Sequence, residues 1–149
     1  DEAGLYSEKP EIYQANMDRL ARKHATAATM VPEPIVDMRS SVKIGFMSYG
    51  ATFEAVCEAK LMLLDRGIEA NFLRLRALPL TPHIEEFLEA HDRIYVVEQN
   101  RDAQLMTILR SELPQYWHKC HSILHYDGMP LDAETVFKQA MEMEQGHEH

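Results

Sequence analysis

Two segments of the chain each combine a short apolar run, a polar turn and a helical pattern, and this combination restricts the fold more than any other feature. In residues 93–110, the apolar β-branched run 94–97 ends in a polar cluster that includes Glu98 and Asn100, and helical spacing follows. Residues 42–65 repeat the layout. A buried strand followed by a helix is the unit from which parallel sheets are built, so both segments predict βαβ connections.

The same periodicity predicts the remaining elements. Strands are expected at about residues 42–49, 68–75, 93–98 and 122–125, and helices at 10–28, 53–65, 81–90, 101–113 and 131–143. The proline-containing stretch 31–37 is expected to be a linker with a short edge strand. We therefore expect a three-layer α/β/α sandwich with a mostly parallel sheet. The expected organisation is an N-terminal helix and linker (1–34), one compact domain (35–145) and a disordered tail (146–149).

Charge and composition limit the classes of partner that we expect the chain to bind. Lys and Arg total 15 against 24 Asp and Glu, giving a net charge of −9, which disfavours binding to nucleic acids. No apolar run approaches the ~20 residues of a membrane span, so we expect no membrane partner and a soluble, cytoplasmic protein. The chain begins with Asp1 rather than Met, which suggests a piece of a longer polypeptide.

Glu98, Asn100 and Gln104 follow the most apolar predicted strand, at the strand end where ligands and partners of open α/β sheets usually sit. We expect all three side chains to be partly exposed there. Asn100 is also suited to capping the helix predicted from Arg101. Glu98 could act as a general base, but it lacks a visible His, Lys or metal partner. The pattern favours binding or interface contact, with no catalytic residue.

The turn formed by Tyr49, Gly50 and Thr52 is a second candidate site, because the N-terminus of the following helix could hold an anion, with Arg101 nearby. The turn lacks the glycine density of a dinucleotide or phosphate loop. A plain turn is therefore favoured over a phosphate or coenzyme A site, although sequence alone leaves that alternative open.

A group of His and Cys residues near the carboxyl end was considered as a metal site; it comprises His118, Cys120, His121 and His125. On a strand, residues four apart stand ~13 Å from each other, too far for one ion, so we expect no metal site. Cys57 and Cys120 are expected to be reduced thiols.

Five motifs occur in an order that resembles the carboxyl-terminal domain of the alpha subunit of 2-oxoacid:ferredoxin oxidoreductases, itself similar to the transketolase carboxyl-terminal domain. They are Asp1-Glu-Ala-Gly4; the turn 49–52 with Glu58-Ala59; Gly67-Ile68 with the connection 73–80; Glu98, Asn100, Gln104 and Leu105; and Asp127-Gly128 with Pro130. Ala103 stands where the family usually has Gly. The resemblance covers almost the whole chain.

The resemblance implies part of an enzyme complex that uses thiamine diphosphate, Mg²⁺ and iron–sulfur clusters to convert a 2-oxoacid and coenzyme A into acyl-CoA and CO₂ while reducing ferredoxin, as in pyruvate metabolism. This chain has no Gly-Asp-Gly diphosphate motif, and its two separate cysteines cannot ligate a four-iron cluster, so we expect it to hold no cofactor. It is interpreted as a non-catalytic assembly domain. Expected partners are the other domains of the subunit, the beta subunit and, through the complex, ferredoxin. A phosphate- or CoA-binding module, and a stand-alone enzyme using Glu98, are the alternatives.

Overall fold

A computed structural model describes residues 3–147 and contains a five-stranded sheet. The strands are β1 (Ile35–Asp37), β2 (Ile44–Tyr49), β3 (Ala70–Leu75), β4 (Arg93–Glu98) and β5 (Cys120–Leu124). The helices are α1 (Pro10–Ala28), α2 (Phe53–Leu64), α3 (Pro82–Ala90), α4 (Gln104–Glu112) and α5 (Ala133–His147), with 3₁₀ turns at Gly50–Thr52 and Trp117–Lys119. The strand order is β1-β3-β2-β4-β5, and every pairing is parallel except that of β1 with β3.

Helices cover both faces of this sheet, which confirms the predicted three-layer sandwich. On one face, α2 and α5 pack over a core that contains Phe46, Phe72 and Tyr95. On the other face, the Phe87 ring of α3 lies against β2 at Gly45. Because apolar side chains point to both faces, β2 and β4 are buried along almost their whole length.

The chain reverses its direction across the sheet between β2 and β4. From β2, the connection through α2 leads to β3 on one side, and β4 then pairs with the opposite side of β2. Such a reversal leaves a crevice beyond the carboxyl ends of the two strands. Tyr49 and Glu98 end β2 and β4, so the crevice lies where the sequence placed the candidate site.

The chain forms two compact units. One comprises the chain up to Pro32 together with Ala77–Thr81, and its helix α1 contains no buried residue. The other comprises Glu33–Arg76 and the chain from Pro82 onward, and it holds the whole sheet and helices α2 to α5.

Two helix ends differ from the sequence prediction by three residues or more. Helix α4 begins at Gln104, three residues after the expected Arg101. Helix α5 runs to His147, beyond the expected end at Met143. Glu144, which lies just beyond the expected helix end, accepts two hydrogen bonds from the Arg93 guanidinium at 2.8 and 2.7 Å, and a third from the Tyr95 hydroxyl. Asp1, Glu2, Glu148 and His149 lie outside the described residues, and with them part of the first motif and of the expected tail.

Candidate functional site

The Glu98 carboxylate is used as the N-terminal cap of helix α4. Its Oε2 accepts hydrogen bonds from the backbone N–H of Leu105 at 2.7 Å and from the Asn100 side-chain amide at 2.8 Å. Its Oε1 accepts one from the backbone N–H of Met106 at 3.0 Å. The side chain is 0% exposed. A negative charge against unpaired N–H groups at a helix N-terminus is stabilising, so this geometry accounts for a buried carboxylate without a basic partner.

Asn100 completes the cap and links the two sides of the crevice. Its Oδ1 accepts from the backbone N–H of Asp102 at 3.1 Å and from that of Gln104 at 3.3 Å. Its amide nitrogen donates to Glu98 and, at 3.1 Å, to the hydroxyl of Tyr49 at the end of β2. The prediction that Asn100 caps a helix from Arg101 is therefore wrong in its position, since the N-cap residue of α4 is Ala103, but the Asn100 side chain does accept from the first N–H of this helix.

All four N–H groups of the first turn of α4 are paired within the chain. The Asn100 side chain accepts from the N–H of Gln104, and the Glu98 carboxylate accepts from those of Leu105 and Met106. The Ala103 carbonyl accepts from the N–H of Thr107 at 2.9 Å. Ala103 has φ +48° and ψ +54°, a left-handed conformation that glycine adopts with less strain. The Gly expected at this place in the family motif is thus explained by backbone conformation.

The exposure of the candidate residues differs from the expectation. Glu98 is completely buried, so its predicted partial exposure is wrong, because the carboxylate points back under α4. Asn100 and Tyr49 are half-buried. Gln104 is exposed, and the Arg101 side chain is 73% exposed and pairs with neighbouring Asp102 at 2.8 Å. The outer surface of the crevice therefore consists of polar side chains around the buried, hydrogen-bonded Glu98 carboxylate.

Gly50 in this turn has a positive φ of +63°, and a Cβ added there would meet no atom within 4 Å. Buried Thr52 donates through its hydroxyl to the Tyr49 carbonyl at 2.7 Å. Arg74 donates to the Gly50 carbonyl at 3.3 Å while its guanidinium lies 4.6 Å from the centre of the Phe53 ring. Thr52 and Arg74 thus stabilise the turn itself.

A cleft of about 260 Å³ lies between β1 and α2, away from the predicted site. Its lining includes Asp37, Arg39, Cys57 and Lys60. The Lys60 ammonium, 2.8 Å from the Asp37 carboxylate, lowers the pKa of that carboxyl. Burial raises the pKa of the Cys57 thiol, which makes it a poor nucleophile at neutral pH.

Cys120 and His125, two of the His and Cys residues near the carboxyl end, contact different backbone carbonyl groups. Buried Cys120 donates to the Tyr116 carbonyl at 3.4 Å, and burial raises the pKa of its thiol to about 11. His125 Nε2 lies 3.0 Å from the Met129 carbonyl. Within residues 3–147, no three His, Cys, Asp or Glu side chains are grouped so that they could hold a metal ion. In the same part of the chain, no helix has the length and apolarity needed to cross a membrane.

Sequence reasoning missed two buried polar groups. One is the Glu144 carboxylate with Arg93 and Tyr95; burial and this carboxylate raise the pKa of Tyr95. The other joins His91 to Asn71, 20 residues away in the chain. A polar side chain beside an otherwise apolar strand or helix end was the available signal in both cases, but the partners are too distant in sequence for periodicity to pair them.

Comparisons with known proteins support the fold and the family. The sequence is 31% identical to 2-oxoacid:ferredoxin oxidoreductase 2, subunit alpha, of Aeropyrum pernix over 136 residues, which cover 88% of this chain and 21% of that protein. The chain thus spans about a fifth of the length of this curated relative. No protein-family model matches the sequence.

Among solved structures, 2-oxoglutarate:ferredoxin oxidoreductase from Magnetococcus marinus, with 2-oxoglutarate, coenzyme A and succinyl-CoA bound, superposes with a TM-score of 0.80. The match has 19% identity and covers 95% of this chain and 25% of that one. A split-gene transketolase, described as an inactive beta4 tetramer, gives 0.62 at 16% identity over 74% of this chain and 40% of that one. The alpha chain of a probable 2-oxoacid ferredoxin oxidoreductase from Thermoplasma acidophilum gives 0.51 at 21% identity over 74% and 96%. Sequence and fold together identify this chain as a relative of the alpha subunits of 2-oxoacid:ferredoxin oxidoreductases, with the fold of a transketolase C-terminal-like domain.

Proposed function

We propose that this chain is a non-catalytic assembly domain in the alpha subunit of a thiamine-diphosphate-dependent 2-oxoacid:ferredoxin oxidoreductase. The compact domain of residues 35–145 supports the subunit, while thiamine diphosphate, Mg²⁺ and iron–sulfur clusters belong to other parts of a cytoplasmic complex. The matched region covers only 21% of the related alpha subunit, which supports this division of labour.

The proposal rests on the burial and the hydrogen bonds of the Glu98 carboxylate. A general base must reach a substrate proton, but this carboxylate is 0% exposed and accepts hydrogen bonds from two backbone N–H groups and one amide. Asn100 is likewise engaged in four hydrogen bonds. Both residues are thus occupied in building the loop between β4 and α4.

Contact with partners is assigned to the outer surface around this loop. Gly50, Arg101 and Gln104 are exposed, and Tyr49 and Asn100 are half-buried behind them. Buried Thr52 and Glu98 hold the two loops in place. The partners are the other domains of the alpha subunit and the beta subunit, and ferredoxin is reached through the assembled complex.

Dye-linked turnover tests the non-catalytic role. Reduction of a viologen dye with 2-oxoglutarate or pyruvate and coenzyme A is measured for this chain alone and for the full complex that contains it. We expect turnover by the complex and none by the chain. Substrate-dependent dye reduction by the chain alone would contradict the proposal, and failure of the complex to use either 2-oxoacid would contradict the assigned activity.

The contact surface is tested by the double substitution Arg101→Ala with Gln104→Ala in the complex. Both side chains are exposed, so we expect the chain to stay folded within about 0.5 kcal/mol, whereas subunit association weakens. The matched control, Arg66→Ala with Gln145→Ala, removes the same two residue types from another exposed surface. Subunit association is measured by sedimentation. Equal weakening by the two double variants would contradict an interface at the crevice.

A further inference from the structure

Buried His91 is joined to the backbone of Arg39 through the side chain of Asn71. His91 and Asn71 are 1% and 2% exposed. The Nδ1 of His91 lies 2.6 Å from the Phe87 carbonyl, and its Nε2 lies 2.8 Å from the Asn71 amide nitrogen. Asn71 Oδ1 accepts from the Arg39 N–H at 2.8 Å, and its Nδ2 donates to the Arg39 carbonyl at 3.0 Å.

Backbone groups at both ends fix every proton in this network. The Phe87 carbonyl is only an acceptor, so His91 must carry a proton on Nδ1. The Arg39 N–H is only a donor and its carbonyl only an acceptor, which sets the orientation of the Asn71 amide. The Asn71 nitrogen is therefore a donor toward His91, and Nε2 must be the unprotonated acceptor.

A second proton on His91 cannot be accommodated in this arrangement. It would place an N–H donor on Nε2 opposite the Asn71 N–H₂ donor. Rotating the amide by 180° would relieve that contact, but it would set N–H against N–H and oxygen against oxygen at Arg39. Protonation of His91 thus requires Asn71 to release Arg39.

Release of Arg39 by Asn71 would loosen the end of strand β1. Strand β1 has three residues and within the sheet pairs only with β3 among the described strands, and Arg39 follows its end by two residues. The two hydrogen bonds from Asn71 extend that attachment past Asp37. Asp37 and Arg39 also line the cleft beside α2, so loosening Arg39 changes one wall of the cleft and the free edge of the sheet.

We propose that His91, Asn71 and the Arg39 backbone form a proton-sensitive latch, which is closed when His91 is neutral and releases the end of β1 when His91 is protonated. It is a local device of the sheet edge and is independent of the assembly function proposed above.

The groups around His91 are consistent with a closed latch in which the imidazole is neutral. Burial lowers the pKa of His91, the hydrogen bond to the Phe87 carbonyl raises it, and the Lys119 ammonium lowers it. Lys119 Nζ donates to the His91 carbonyl at 2.7 Å. Asp92 raises the pKa and Lys43 lowers it, and these two groups pair with each other at 3.6 Å.

The sign of the pH effect follows. Opening the latch frees Nε2 from the Asn71 donor, so the pKa of His91 is higher with the latch open than with the latch closed, where burial holds it below its ordinary value of about 6.5. The latch is fully stabilised above pH ~6.5 and weakens as the pH falls from there toward the lowered pKa. Over that window the closed-to-open ratio falls up to about tenfold per pH unit.

Hydrogen exchange of the Arg39 N–H between pH 8 and 4.5 tests the latch. After correction for intrinsic exchange rates, we expect constant protection above pH ~6.5 and a fall of up to about tenfold per unit below it. Val96 in the central strand β4 should stay at least about tenfold better protected. Flat protection of Arg39 across the range would overturn the proposal, and so would equal protection of Arg39 and Val96, which would indicate global unfolding.

Three variants separate the latch from a general acid effect. His91→Gln supplies a neutral group that does not titrate in this range, and should abolish the pH dependence at Arg39. Asn71→Asp places a carboxylate beside Nε2, which raises the pKa of His91, but it also sets an oxygen against the Arg39 carbonyl. Protection of Arg39 should therefore be lower than in the wild type and should fall, instead of rise, as the pH rises. The control, His118→Gln, removes an exposed histidine and should leave the profile unchanged. A wild-type profile in His91→Gln would refute the latch.

Discussion

Replacement of Glu98 by Gln tests how much the carboxylate that caps α4 contributes to the free energy of unfolding. If the Gln carbonyl takes the place of Oε2, it still accepts from Leu105 and Asn100, but its amide nitrogen then faces the Met106 N–H. In the opposite orientation, two donors lose their acceptor instead of one. The better orientation therefore leaves one buried N–H unpaired, at a cost of about 1–3 kcal/mol.

Loss of the charge removes a favourable interaction with the helix dipole, but it also removes the cost of keeping a carboxylate away from water. Because these two effects oppose each other, the unpaired N–H dominates and we expect a net destabilisation of about 2 kcal/mol. For a chain of this size, that corresponds to a fall of roughly 4–8 °C in Tm.

Urea unfolding followed by far-UV circular dichroism measures this change in the free energy of unfolding. Glu112→Gln is the matched control, since Glu112 is exposed in the last turn of the same helix and should change stability by less than about 0.5 kcal/mol. Equal midpoints for Glu98→Gln and the wild type would refute the capping argument. In the complex, turnover per folded molecule should stay within a few-fold of the wild type; a thousandfold loss would make Glu98 a participant in the chemistry.

Three further substitutions test the backbone and the core by the same urea measurement. Ala103→Gly should stabilise the chain by roughly 0.5–1 kcal/mol, since glycine relieves the left-handed strain, and a loss of stability would contradict this. Gly45→Ala should destabilise it by about 1–3 kcal/mol, because the new Cβ would lie 2.8 Å from the Phe87 ring and 2.9 Å from Ile94; a neutral result would mean that this core is loosely packed. Gly50→Val should cost about 1–3 kcal/mol through backbone strain alone, since the space around it is open, and an unchanged midpoint would exclude strain at φ +63°.

The sequence allowed most of the fold to be predicted because its strongest signals are local. Apolar runs bounded by turn residues identified four strands, and the predicted limits of β4, Arg93 and Glu98, are those of the structure. The start of α4 was misplaced because Asn100 reads as a cap for the next residue. In the structure it caps across a loop that ends in left-handed Ala103, a conformation that propensity alone does not indicate.

The polar contacts of the site were harder to predict, because they depend on partners that only the tertiary fold brings together. Glu98 was correctly placed at a strand end, but nothing local shows that its carboxylate turns toward the N–H groups of Leu105 and Met106. Similarly, α5 extends past Met143 while Glu144 is bound by a guanidinium from β4, 51 residues earlier. A periodicity window cannot contain such a pair.

The crevice between β2 and β4 explains how a fold associated with ligand binding can serve as a scaffold. In open α/β sheets, ligands at this position commonly use the free N–H groups of a helix N-terminus. Here, Asn100 and Glu98 occupy those of Gln104, Leu105 and Met106, so an incoming anion would have to displace a buried carboxylate that is already bonded. The same bonds hold the β4–α4 loop rigidly against Tyr49, and rigid, exposed polar side chains are favourable for contact because little conformational entropy is lost when a partner binds. Internal capping therefore opposes ligand binding at this helix, which agrees with the assembly role that we propose.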